Sequence, residues 1–389
     1  MKKTAQKLGI KKLIFLAVNI ALALAAAACF IGISSLSRLL PSQHEAERWQ
    51  GASATKYAQL SCFIPVDETV SLNEIGAFRE ALVKKLHEAA IDVGTEDVLS
   101  VDAWSCVDKV SVSSALGKGD VYATAVGGRF FDFHPITLLS GNYISSDDLM
   151  QDRALLDEET AWLLFGGTDI QGLSFKINGV PFVVAGVIER EQDFATKKAY
   201  TDGMGIFISY DGYMNLFGGT ADAASAADTG SDASAGQGGA GAATGIQCYE
   251  FVMPDPVKNF ALSFAKEKFP IGRGEIVNNT ERFRLSSLWE KVKSFDERSM
   301  QTRGVLYPYW ENAARCVEDR AALLLVAAIA ALILPAVTVL VLAVRYAVRG
   351  KRRLEDDLLP AWKDSAEEAI RVRQRARWEK RHGKGRHET

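Results

Sequence analysis

The chain has 389 residues, with 45 Lys and Arg against 48 Asp and Glu, a formal net charge of −3, and 48% hydrophobic residues. This length holds one or two domains. The near balance of charge, with basic clusters only beside the apolar segments near the two ends, excludes a nucleic-acid signature. Five cysteines with no staple or metal-ligand spacing exclude a disulfide scaffold or a cysteine metal site.

The average composition hides two uncharged runs. LIFLAVNIALALAAAACFIGI at 13–33 and AALLLVAAIAALILPAVTVLVLAV at 321–344 each match the ~20 residues that cross a ~30 Å hydrocarbon core. Core helices of that length without a polar face are rare, so both are expected to be membrane spans. Lys2, Lys3, Lys7, Lys11 and Lys12 precede the first, and Arg345, Arg349, Lys351, Arg352 and Arg353 follow the second. Positive flanks stay in the cytoplasm. The expected layout is a cytoplasmic 1–12, spans at 13–33 and 320–346, an extracytoplasmic domain at 34–319 and a cytoplasmic charged tail at 347–389, in a bacterial cell membrane. The alternative for the first run is a lipoprotein signal cleaved before Cys29. Ala26 three positions earlier and the apolar Phe30, Ile31 and Ile33 beyond favour a retained anchor.

Within the outer region, YAQLSCFIPV (57–66) reads as a strand and 71–90 as an amphipathic helix. In that helix Ile75, Phe78, Leu82 and Leu86 form the apolar stripe, and Ser71 with Glu74 forms a capping box. Alternation over 104–115 and 121–126 gives two more strands. DEETAWLLF (157–165) is a short helix with acids in its first turn. LSFKINGVPFVVAGVIE (173–189) is a hairpin turning at Asn178-Gly179. GIFISYDGYMNLF (205–217) is expected as a strand and a turn. Residues 218–245, built of Gly, Ala, Ser, Thr and Asp without a large apolar side chain, read as a disordered surface loop. Then follow a strand at 246–254, a helix at 257–269, strand-like 275–278, and a helix leading toward the second span. Strand, helix and strand on either side of a β-rich middle define an α+β domain with a β-rich module inserted.

Just ahead of the second span stands YPYWENAARCVEDR (307–320). Tyr307, Tyr309 and Trp310 suit the boundary between water and lipid, or pack into the outer domain. Cys62 and Cys106 lie in strand-like sequence and could pair; lone buried thiols are the alternative. The tail at 361–381 reads as a charged helix suited to anionic lipid, to a cytoplasmic ATPase, or to solvent.

Two stretches, GDVYATAVGGRFFDFHPITLLSGNYI and ALLDEETAWLLFGGTDIQGLSFKINGVPFVVAGVIE, resemble the periplasmic core domain of MacB-like and FtsX-like ABC transporter permeases. The pattern falls on Gly127, Gly128, Phe130 and Phe131; on Leu138, Leu139 and Gly141; on Ala161, Phe165 and Gly166; and on Val184, Gly186 and Val187. It covers roughly 55–320. These positions are structural: Gly166 suits a left-handed helix end, and Gly172 and Gly186 suit turns or close approach beside strands. The resemblance implies a porter-like α+β lobe with an inserted β-rich lobe between two transmembrane helices. It also implies mechanotransmission, in which ATP hydrolysis inside moves the helices and the outer domain relays the motion. Pro335, mid-span, would supply a kink for such motion or is simply tolerated. Such permeases normally have four spans, whereas one span follows the outer domain here, so a reduced membrane part is implied.

His44, His87, His134, His382 and His387 are scattered, and no HExxH, Walker A, GxSxG or CxxC motif occurs. No catalytic residue, cofactor or metal site is expected. The expected role is a non-catalytic membrane subunit of a MacB/FtsX-type ABC transporter. Its expected partners are an ABC ATPase subunit, a further permease subunit, the membrane and a second copy as a homodimer. The alternative is a membrane-anchored adaptor or sensor uncoupled from any ATPase.

Overall fold

The structure is a computed structural model that describes residues 2–51, 53, 55–89, 100–145, 148–200, 205–224, 245–295, 304–353 and 359–382. It divides into two compact units. One comprises Met1–Phe30 with Val326–Thr389, and the other Ile31–Leu325.

The first unit holds the apolar lengths of two long helices, α1 (Lys2–Ser37) and α10 (Tyr309–Arg353), and the tail helix α11 (Leu359–His382). By length and composition, Ile10–Ser37 and Tyr309–Arg352 suffice to cross a membrane. Leu13 and Leu340 expose about two thirds of their surface, which a helix surrounded by water does not sustain along its whole length. Pro335 lies inside α10, and the helix is continuous on both sides of it.

The second unit is built on one ten-stranded sheet. Its strands are β1 (Tyr57–Phe63), β2 (Val101–Ser113), β3 (Lys118–Gly128), β4 (Thr137–Gly141), β5 (Arg153–Asp157), β6 (Ser174–Ile177), β7 (Val180–Glu189), β8 (Gly205–Ser209), β9 (Cys248–Pro254) and β10 (Glu275–Asn278). The order is β10-β1-β9-β2-β3-β8-β5-β7-β4, with β6 bridging β7 and β2. The bridge closes β2-β3-β8-β5-β7-β6 into a ring. The inserted lobe is therefore a small barrel that borrows β2 and β3 from the first lobe. β2 serves both parts: residues 101–105 pair with β9, and 112–113 pair with β6. Closure removes strand edges that would otherwise expose backbone donors and acceptors.

Alternation decides which side chain enters which core. Val121, Ala123 and Ala125 of β3 join the barrel interior and the larger core, while Val126 turns to the opposite face. Over the first lobe α3 (Leu72–Glu88) and α8 (Phe260–Lys268) cover one face. Phe78 sits at their centre, 5.2–5.9 Å from the rings of Tyr249, Phe251, Phe264 and Phe269. The helix begins at the capping box of Ser71 and Glu74, with both reciprocal bonds present. The opposite face is covered by α2 (Glu45–Gln50), α4 (Phe130–Phe133) and the start of α10.

The sequence elements fall at 57–63, 101–113, 118–128, 174–177 with 180–189, 248–254, 260–268 and 275–278. One differs in kind. After β8 the chain enters a helix, α7 (Tyr210–Ala224), where a turn was expected. The Asp211-Gly212 pair does not turn the chain: the Gly212 N–H donates to the Ser209 hydroxyl at 3.1 Å, and Tyr213 and Phe217 recur one turn apart in the core. This helix reaches into the segment expected to be a disordered loop; the rest of that segment, 225–244, lies outside the described residues. The strands β4 and β5 and the helices α2, α4 and α6 (Phe194–Ala199) had no clear sequence signal, whereas α9 (Leu285–Lys293) falls in the stretch expected as a helix leading toward the second span. Cys62, Cys106 and Cys248 are buried free thiols, so Cys62 and Cys106 do not pair.

Candidate functional site

Helix α10 begins at Tyr309, and its first four turns are packed into the outer unit. Pro308 precedes it, and its carbonyl accepts from the N–H groups of Glu311 and Asn312, each at 3.1 Å. Glu311 lies in the first turn, where the helix dipole favours an anion. From there Glu311, Arg315 and Glu318 recur on one face.

Arg282 is the centre of this face. It follows a short 3-10 turn at Asn279–Glu281 and has 4% of its surface exposed. Its guanidinium donates to the Glu311 carboxylate at 2.5 Å, to the Glu318 carboxylate at 3.1 Å and to the Gln43 side-chain carbonyl at 2.7 Å. Gln43 lies just beyond the end of α1, in the turn Pro41–Gln43. One buried cation therefore ties the chain leaving the first apolar helix to the chain entering the second. Burial alone would lower the Arg282 pKa, but the attraction of Glu311 and Glu318 outweighs it and holds the group above the ordinary arginine value.

A second layer surrounds the first. Arg315 donates to Glu311 at 2.8 Å and to Glu275 of β10 at 2.7 Å, and lies 3.7 Å above the Tyr307 ring. The Tyr307 hydroxyl donates to the same Glu275 carboxylate at 2.5 Å. Burial would raise the Glu275 pKa; Arg315 and Tyr307 reverse that and leave it below the ordinary carboxylate value. Burial and the bond to Glu275 push the Tyr307 phenol up to about 12.

Trp310 is almost fully buried. Its ring lies 4.5 Å from the His134 ring and 5.5 Å, edge to face, from Phe130. His134 Nε2 is 2.5 Å from Glu250 of β9, whose other carboxylate oxygen accepts from the Ser61 hydroxyl at 2.7 Å. Tyr309 stacks on Tyr200 at 4.2 Å. Leu40, Ala313, Ala314 and Val317 form a small apolar cluster with Ala195 beside the charged face.

The structure thus places Tyr307, Tyr309 and Trp310 together in the packing of the outer unit, while Pro335 lies elsewhere, mid-helix. The other singled-out positions shape backbone. Gly166 ends α5 (Glu158–Phe165) at φ 73°, with Ala161 and Phe165 packed on the core. Gly141 and Gly186 lie where β4 meets β7: a Cβ on Gly186 would stand 2.5 Å from the Ser140 carbonyl oxygen. Gly128 takes φ 63° ahead of the buried Phe130. The residues sequence reasoning missed are Gln43, Glu275, Arg282, Glu311, Arg315 and Glu318. The spacing of the last three on one helix face was the available signal; nothing local pointed to Arg282. Among the described residues, no group of three or more His, Cys, Asp or Glu side chains is placed to hold a metal ion.

A mixed sheet with a closed barrel lobe, flanked in sequence by two apolar helices, defines an α+β outer domain of membrane-anchored type. The model of one family, the MacB-like periplasmic core domain, matches residues 18–237, and the chain belongs to that family. It is a membrane protein with an extracytoplasmic core domain. Among solved structures, the periplasmic region of MacB from Actinobacillus actinomycetemcomitans is similar at 14% identity and a TM-score of 0.35, covering 62% of this chain and 94% of that one. The extracellular domain of the noncanonic ABC-type transporter YknZ from Gram-positive bacteria is similar at 13% identity and a TM-score of 0.34, covering 55% and 92%. A domain of a putative permease protein from Porphyromonas gingivalis is similar at 11% identity and a TM-score of 0.29, covering 59% and 96%. No curated protein matches the chain.

Proposed function

We propose that the chain is a non-catalytic membrane subunit of a MacB/FtsX-type ABC transporter, whose outer domain relays ATP-driven motion of its helices or binds cargo or envelope partners. Family membership supports the transporter setting. The observation that carries the relay is the Arg282 node, where a buried guanidinium holds Gln43 beyond α1 and Glu311 and Glu318 in the first turns of α10. Breaking a buried pair by removing one partner costs about 3–5 kcal/mol, so displacement of either helix end is carried into the sheet instead of being absorbed at a loose joint.

In this reading both termini lie in the cytoplasm, where positive flanks are retained. The partners are an ABC ATPase subunit and a further permease subunit. The test is affinity purification of the tagged full chain from native membranes in mild detergent, with mass spectrometry of what accompanies it. Recovery of an ABC ATPase is expected. Recovery of envelope proteins with no ATPase at any detergent strength would replace the transporter reading with an uncoupled adaptor.

A further inference from the structure

On the face of the sheet opposite the barrel interior lies a cavity of about 310 Å³. That volume stands at the lower end of the ~300–1,000 Å³ typical of small-molecule sites. Its floor is the seam where the two lobes meet. There β3 and β8 pair in parallel, with Tyr122 opposite Gly205 and Thr124 opposite Phe207. Its roof is 306–309, the segment that leads into α10. We infer that this cavity binds a small uncharged aromatic molecule carrying one hydrogen-bonding group, held between the lobe seam and the segment that opens α10.

Three observations select that chemistry. First, the walls are apolar and aromatic: Ile188 and Phe207 line the floor side, and the stacked rings of Tyr200 and Tyr309 form one wall. Planar faces of this kind favour a ring partner in offset or edge contact. Second, the Thr124 hydroxyl lines the cavity with only 7% of the residue exposed, and no hydrogen bond among the described residues engages it. Half-buried Tyr122, on the same face of β3, also lines the cavity, and no hydrogen bond among the described residues engages its hydroxyl. The Thr124 hydroxyl is open to the cavity, and a ligand group that meets it gains a hydrogen bond that the protein leaves unmade.

Third, the charges at the rim are already matched. Arg190 donates to Asp157 through Nε at 2.9 Å and through Nη2, and Asp157 also accepts from the Gly205 N–H at 2.6 Å. Glu191 accepts from the hydroxyls of Tyr200 at 2.8 Å and Tyr309 at 3.4 Å. A charged ligand would enter without a free counter-ion and lose its hydration uncompensated, whereas an uncharged one does not. The site goes beyond the proposed transport role and stands on the cavity alone; its occupant would touch both lobes and the roof segment at once.

The experiment uses the full chain in lipid nanodiscs and benzophenone, a neutral two-ring ketone whose carbonyl is its one hydrogen-bonding group and which inserts into nearby C–H bonds on irradiation. Labelled peptides are mapped by mass spectrometry, which separates cavity labelling from probe dissolved in lipid. Saturable labelling is expected at 199–200 and 306–309. Thr124→Val, which keeps the shape and removes the hydroxyl, should raise the half-saturating concentration about fivefold, the value of a single hydrogen bond of about 1 kcal/mol. Ala199→Phe, which fills the rim from a short helix end, should abolish cavity labelling with an unchanged circular dichroism spectrum. Labelling confined to 13–33 and 321–344 would overturn the inference. So would cavity labelling that never saturates, or half-saturation unchanged by Thr124→Val.

Discussion

Gln43 and Arg282 stand 239 positions apart in the chain and are joined by a buried 2.7 Å hydrogen bond. The same guanidinium pairs with both Glu311 and Glu318, so its removal would take a shared buried cation from two carboxylates and leave Glu311 to its pair with Arg315. Arg282→Met is expected to destabilise the outer domain by about 3–5 kcal/mol, read as a drop in the midpoint of chemical unfolding. Arg282→Lys should recover only part of this, because one ammonium cannot span three acceptors as a planar fork does. A midpoint unchanged in Arg282→Met would remove the node from the account of how the helices are tied to the domain.

The acid limb of stability should carry the signature of Glu275. Its folded pKa lies below the ordinary value of 4.5, so the unfolded chain takes up its proton first as pH falls. The contribution is complete above about 4.5 and is lost as pH drops through the folded value. Glu275→Gln should therefore be less stable at neutral pH and show a flatter decline below that point. Parallel acid limbs in the two proteins would contradict the ion pair with Arg315.

Trp310 fills the space between His134 and Phe130 beneath the start of α10. Trp310→Ala should cost about 3–5 kcal/mol, as large-to-small changes of buried aromatics do. It should also speed amide exchange over 305–320 before the rest of the sheet is affected. Uniform exchange across the domain would mean that the helix start is not a separate joint.

Burial holds the thiols of Cys62, Cys106 and Cys248 well above their ordinary range. At pH 8 they should resist iodoacetamide in the native protein and react once the domain is unfolded. Native labelling of Cys62 or Cys248 by mass spectrometry would show that the sheet opens between β1 and β9.

The parts of this fold that were legible are those in which one local rule dominates. The stripe of Ile75, Phe78, Leu82 and Leu86 with its capping box marked α3, and Asn178-Gly179 marked the β6–β7 hairpin. The helix after β8 was missed because Asp211-Gly212 carries a turn signal that core packing of Tyr213 and Phe217 overrides. The site was half legible. The aromatic cluster at 307–310 stood out, but membrane boundary and protein core favour the same residue types. Arg282 was invisible, since each of its acceptors lies 29 or more positions away in sequence.

The position of β1 sets a timetable for making the protein. All seven of its residues are buried, and it lies between β9 and β10, the last strands of the domain to be synthesised. Ser61 and its partner Glu250 are 189 positions apart. At translation rates of about 5–20 residues per second, β1 waits roughly 10–40 s for its first neighbour. During that interval an apolar strand with two bare edges stands ready to pair with any other nascent chain. Slowing or truncating synthesis before residue 248 should thus leave an aggregation-prone fragment, and the cell's quality-control load for this protein falls on its first strand.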